Sequence, residues 1–190
     1  TADTSSSSRW YRTSIFYLIN PGTSAGDIVV TSSQALGGFI VDAVTLLGAA
    51  QTSPVGVTDT DAVTNSTAST SYVLNGTAAD SLLVAMVMST NAGPPTWSWS
   101  TATEDYDLAG SADTVEPAGS GGYYATGSGG NVTLTATRSA TVAAQVGCAV
   151  EFKVASGSPQ TVSLNTIART LAAVALAVAP GAVSVGLTTL

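Results

Sequence analysis

Apolar and polar residues alternate along most of the chain, the period of extended strands whose successive side chains face opposite sides. Trp10 to Ile19 (WYRTSIFYLI) is the first such run, rich in aromatic and β-branched residues, and Asn20-Pro21-Gly22 ends it in a turn. Asp27 to Ser32 (DIVVTS) and Phe39 to Leu47 (FIVDAVTLL) follow, separated by Gly37-Gly38, and Pro54-Val55-Gly56 predicts another turn. Residues 58–71 are polar and rich in Ser and Thr, which predicts a solvated strand or loop. Tyr72 to Leu74 leads into Asn75-Gly76, a turn dipeptide. Ser81 to Met88 (SLLVAMVM) is apolar without interruption, and a run of that length between turns predicts a strand buried on both faces. Trp97 and Trp99 alternate with Ser98 and Ser100, so their rings share one face. Residues 101–121 read as an acidic loop, and Tyr123-Tyr124, Asn131 to Thr137 and Ala143 to Val154 complete the pattern.

Short strands with Gly and Pro between them predict an all-β fold, an antiparallel β-sandwich. No stretch has convincing helical periodicity. The Ala-rich Ile167 to Val178 is the one helix candidate, and its V-A-L-A-V alternation favours a strand. Gly157-Ser158-Pro159 marks a boundary, dividing a sandwich domain (1–155) from an apolar β-strand tail (156–190). Within the tail, SPQTVSL (158–164) matches APGAVSV (179–185) at a spacing of 21 residues, pairing Pro159 with Pro180, Val162 with Val183 and Ser163 with Ser184. A unit of two strands and a Pro turn predicts the start of a repeat array.

Composition narrows the chemistry. The chain has no His and one cysteine, Cys148, which removes His-based nucleophile systems, zinc-finger ligand sets and a disulfide framework. Five Lys and Arg against twelve Asp and Glu leave no basic footprint, so no nucleic-acid partner is expected. The chain is 45% hydrophobic, which argues against intrinsic disorder. The longest apolar stretch, Leu171 to Pro180, is too short for a membrane-spanning helix, and no charged-then-apolar leader opens the sequence, so neither a span nor a signal peptide is expected. Cys148 lies in an apolar strand and reads as a small core residue. Gly127 to Gly130 precedes a strand, so it is no phosphate loop.

Three groups of residues remain as candidates. Glu104, Asp105 and Asp107, with Asp113 and Glu116 nearby, are the densest acidic group and the candidate Ca²⁺ ligands, although their spacing matches no EF-hand; the simpler reading is a solvated loop. Asp59 and Asp61 share one side of an extended segment, but no catalytic motif surrounds them or the acidic group, so no glycosidase-type pair and no enzyme is expected. Trp97 and Trp99, with Tyr106, Tyr123 and Tyr124, are the candidate sugar platform, against the alternative of ordinary sheet-face packing. Asn65, Asn75 and Asn131 open N-glycosylation sequons, in a chain whose 28 Thr and 24 Ser make such matches common by chance.

The order of segments resembles a jelly-roll-like β-sandwich domain of phage virion structural proteins and bacterial surface proteins. The residues that carry the resemblance are the strand ending Leu18-Ile19-Asn20-Pro21, the turn Gln51-Thr52-Ser53-Pro54-Val55-Gly56, and the closing Ala149-Val150-Glu151-Phe152-Lys153, and it spans residues 9–155. The tail is similar to short repeats appended to phage structural proteins. The resemblance implies no catalytic residues and no cofactor. It implies a structural subunit of a virion (decoration, fibre or tail), with a bacterial filament or adhesin subunit as the alternative, while the Trp97 and Trp99 face leaves a carbohydrate-binding module as a further alternative. The location would be a virion or the cell surface, and the partners copies of itself and other structural proteins. Such domains usually carry strands before WYRTSIFYLIN, whereas eight residues precede Arg9 here, so an open sheet edge is expected. The tail is the expected donor strand, through Val162, Leu164, Ile167, Leu171, Val174, Leu176, Val178, Val183, Val185 and Leu187.

Overall fold

A computed structural model describes residues 2–6, 9–20, 28–32, 40–63, 67–89, 96–108, 117–142, 144–156, 162–168 and 181–185. Every regular element among them is a strand: β1 (Ala2–Ser6), β2 (Arg9–Thr13), β3 (Ile28–Ser32), β4 (Ala43–Leu47), β5 (Val55–Val63), β6 (Thr67–Thr77), β7 (Leu82–Ser89), β8 (Trp97–Ser100), β9 (Thr103–Leu108), β10 (Ala118–Ala125), β11 (Gly130–Val142), β12 (Gln145–Phe152), β13 (Ser163–Ala168) and β14 (Gly181–Val185). No helix among the described residues is long and apolar enough to cross a membrane.

The pairings nest. β8 and β9 meet at a tight turn through Thr101, whose φ is 73°. Around that turn β7 pairs with β10, β6 with β11, β5 with β12, β4 with β13 and β3 with β14, all antiparallel. The described strands from β3 to β14 therefore pair in the order of a double-stranded ribbon folded back at β8 and β9. Folded over, its central strands sort into a five-stranded sheet, β5-β12-β7-β10-β9, and a three-stranded sheet, β6-β11-β8. Eight strands wrapped in this way make a jelly-roll-like sandwich. The outer pairs, β4·β13 and β3·β14, remain two-stranded ribbons, and β1·β2 forms a separate hairpin.

Period-two alternation explains why the five-stranded sheet is covered on both faces. Leu83, Ala85 and Val87 of β7 face the three-stranded sheet, where Tyr72, Leu74, Val132, Leu134, Trp97 and Ala136 meet them. Leu82, Val84, Met86 and Met88 face the other way, against Tyr11, Ile15, Leu46 and Val162. The β1·β2 hairpin lies over β12, β5 and β7 on that outer side. The uninterrupted SLLVAMVM run is thus covered on both faces, fully on the side of Leu83, Ala85 and Val87 and partly on the side of Val84, Met86 and Met88. Each fully buried Leu or Val contributes about 1.5–3 kcal/mol by leaving water.

Three local expectations change, and the choice between strand and loop at 58–71 resolves as strand. The first strand ends at Thr13, and Ser14 to Leu18 leaves the ladder. Asn75-Gly76 lies inside β6; Gly76, at φ 73°, sits beside a register shift opposite Gly130 and Val132, so the dipeptide makes an irregularity of the strand and no turn. The polar stretch 58–71 belongs mostly to β5 and β6, and the acidic stretch 101–121 contains β9 and the start of β10. In both stretches a strand survives its polar sequence because carboxylates take up edge backbone groups.

Candidate assembly surface

A sandwich leaves unpaired N–H groups where consecutive strands pass from one sheet to the other. Here β5 and β6 form one such corner, and β8 and β9 the other. At the first, the Val73 N–H donates to the Asp59 carboxylate at 2.6 Å and the Ser71 N–H to Asp61 at 3.1 Å. The two residues sit at i and i+2 on β5, so one strand face delivers both carboxylates to alternate amides of β6. The same corner is closed further along by Glu151, only 2% exposed, whose two carboxylate oxygens accept the Val57 N–H at 2.9 Å and the Ala78 N–H at 2.6 Å. Glu151 lies where the β12–β5 register shifts, and its side chain fills the space left by Gly56, where a Cβ would collide with the carboxylate. At the second corner the Trp97 N–H of β8 donates to Asp107 of β9 at 2.9 Å.

At both corners carboxylates take up backbone donors that a further strand would otherwise have to satisfy, Ser71 and Val73 at one and Trp97 at the other. The signal was present in the sequence as the Asp59/Asp61 spacing. Glu151 was missed, because a lone Glu in an apolar strand gives no hint of its partners.

The candidate Ca²⁺ ligands do not converge. Asp107 is committed to Trp97, and among the described residues no group of three acidic, Cys or His side chains could hold a metal ion. Glu104 is raised from its ordinary pKa by desolvation and by the neighbouring Asp107. Asp113 and Glu116 lie outside the described residues.

Trp97 and Trp99 do share one face, and it is the inward one. Trp97 is buried, with the Arg138 guanidinium 5.9 Å from its ring centroid. Trp99 stacks on Tyr72 at 6.3 Å and donates its indole N–H to Ser120 Oγ at 2.8 Å, which in turn donates to the Tyr106 carbonyl. Gly122 of β10 lies under the Trp99 ring, where a Cβ would come within 2.9 Å. The sugar-platform expectation is corrected accordingly: these rings join the two sheets and offer no open face for a sugar to stack on. Cys148 is buried, and burial pushes its thiol pKa up.

The tail strands return to their own chain. Val162 is buried with Leu82, Val150 and Phe152, and its N–H donates to the Asp80 carbonyl. β13 places Leu164 opposite Leu46, and it also contains Ile167. β14 places Val183 opposite Val30 and Val185 opposite Ile28. Leu171, Val174, Leu176, Val178 and Leu187 lie outside the described residues. Neither ribbon is joined to a third strand among the described residues, and none of the four strands contains a charged residue.

Arg12 and Asn20 bracket an uncharged segment whose Ile15 packs in the same cluster as Leu46 of β4. Ile15 and Tyr17 line a groove of about 290 Å³ with Val55, Val150 and Phe152 on its apolar side and Thr58, Asp59 and Thr60 on its polar side, Tyr17 meeting Phe152 edge to face at 6.3 Å. Phe16 and Leu18 point outward. The Asn20 N–H donates to the Gln51 side chain at 3.0 Å, which fixes the end of the segment.

No protein-family model, curated protein or solved structure matches this chain.

Proposed function

We propose that the chain is a non-enzymatic structural subunit that assembles with copies of itself, as a decoration, fibre or tail protein of a phage virion. The observation that carries this reading is the contrast between bridged sandwich corners and two uncharged, two-stranded ribbons formed by the tail. A two-stranded ribbon is only marginally stable alone, and its outer edges can accept another strand. A tail strand that pairs with β3 or β4 of its own chain makes the same contacts when exchanged with a neighbour, which is the basis of domain swapping. The virion assignment rests on the segment resemblance, and a bacterial surface filament would use the same contacts.

The test is to replace Leu164 and Val183 by Pro in the full chain, which removes one backbone N–H from each tail strand and constrains its backbone. Size-exclusion chromatography with light scattering and negative-stain imaging should show a ring, shell or filament for the unchanged chain and its loss in the double variant. Assembly unaltered by both prolines would remove the tail from this role.

A further inference from the structure

We infer that the segment Phe16–Ile19 is a docking surface for a second copy of this chain, distinct from the tail strands. The inference rests on the reading of the chain as a self-associating subunit and adds a second contact to it.

Four consecutive apolar side chains stand in solvent: Phe16 is 87% exposed, Tyr17 55%, Leu18 77% and Ile19 38%. Together they present on the order of 500 Å² of apolar surface, the scale of the largest patch on an ordinary monomer. Two copies meeting through this surface would bury twice that, on the order of 1,000 Å², about the lower limit for a specific interface. Charge favours the same partner. A chain of formal net charge −7 repels its own copies, so self-association is least opposed where charge is absent, and residues 13–20 (TSIFYLIN) carry none.

The surface is also shaped to receive itself. Phe16 and Leu18 project beside the groove, whose apolar wall is Ile15, Tyr17, Val55, Val150 and Phe152 and whose other side carries Thr58, Asp59 and Thr60. An outward apolar knob next to a groove with an apolar wall lets each copy of a two-fold pair insert into the other. The edge-to-face contact of Tyr17 with Phe152 and the Asn20–Gln51 hydrogen bond hold the segment in place before any partner arrives. A surface ordered in advance loses less conformational freedom on binding.

The experiment uses sedimentation velocity over a concentration series with four full-length proteins: the unchanged chain, Phe16→Ser/Leu18→Ser, Leu164→Pro/Val183→Pro, and all four substitutions together. Phe16 and Leu18 are exposed, so circular dichroism and the unfolding midpoint of the first variant should match those of the unchanged chain. The tail variant should stop at a dimer, and adding the Phe16 and Leu18 substitutions should weaken that dimer at least about 100-fold, as loss of central anchors does. A tail variant that is monomeric throughout, or a dimer indifferent to Phe16→Ser/Leu18→Ser, would overturn the inference while leaving the tail reading intact. A tail variant that assembles like the unchanged chain would overturn the tail reading, and the Phe16 and Leu18 pair would still be judged by its own change in association. An unchanged chain that stays monomeric would overturn both.

Discussion

The β5–β6 corner and the β4·β13 ribbon are separated by fewer than ten residues between Leu47 and Val55, yet they treat their edges in opposite ways. At the corner, Asp59, Asp61 and Glu151 accept backbone N–H groups that no strand pairs. In the ribbon, neither AVTLL nor SLNTIA carries a charge, and no third strand joins them among the described residues. The difference lies in where a charge-poor chain places its carboxylates. An edge donor must find an acceptor, and a carboxylate supplies one within the same chain while discouraging a foreign strand. An edge without that device stays open to another copy.

The strongest way to break this comparison is at Glu151. Glu151→Ala leaves two backbone donors without acceptors and opens a cavity, so it should lower stability by about 2–5 kcal/mol in urea unfolding. Gly56→Ala should destabilise through the same site by forcing the carboxylate off its partners. An Ala variant within a few tenths of a kcal/mol of the unchanged chain would show that the buried carboxylate does not hold the corner. At the more exposed end, Asp59→Ala/Asp61→Ala should cost about 1–2 kcal/mol and speed hydrogen exchange at Ser71 and Val73. The same variant should also self-associate more readily, because the corner then resembles an open edge. Asp107→Ala should have a smaller effect, confined to the Trp97 amide, since a single hydrogen bond is lost there.

Alkaline pH sharpens the comparison from the inside of the sandwich. Burial, with the negative charges of Cys148, Asp61 and Asp59, raises the Tyr72 hydroxyl well above its ordinary 10.0. The folded state therefore keeps a proton that the unfolded chain releases. This contribution to stability is fully present below pH 10 and is lost as pH climbs from there toward the folded value. Burial lowers Arg138 to about 10, which works in the opposite direction above that pH. Urea midpoints at pH 9 and 11 should fall more for the unchanged chain than for Tyr72→Phe. Equal slopes would mean that Tyr72 ionises as freely in the fold as outside it. Tyr72→Phe should itself lose a small amount of stability at pH 7, because its hydroxyl donates to the Met86 carbonyl at 3.1 Å.

The fold was largely legible in the sequence where packing decides it. The period-two pattern gave the all-β class, and SLLVAMVM announced a doubly covered strand because both faces of β7 are apolar. The segments that misled were the polar ones. TATEDYDL looks like a loop, and TDTDAVTNSTASTS is left between strand and loop, because strand patterns are judged by apolar alternation. They fold as strands because their carboxylates satisfy edge amides of the neighbouring strand in sequence, such as Asp59 with Val73 and Asp107 with Trp97. Trp97 and Trp99 were placed correctly on one face, but alternation does not say which face is inward. Ser120 and Gly122, on a strand some twenty residues away, make room for them there. The exposed Phe16 and Leu18 could not be told from core residues by pattern, since their alternation with Ile15 and Tyr17 is hidden when all four are apolar.

Hydrogen exchange with mass spectrometry on the full chain, assembled and dissociated, tests the division of edges most directly. The amides of Ser71, Val73 and Trp97 should be protected equally in both states, because carboxylates of the same chain hold them. The amides of β3 and β4 should gain protection on assembly. Ribbons equally protected in both states, or corner amides that become protected only in the assembly, would contradict the account.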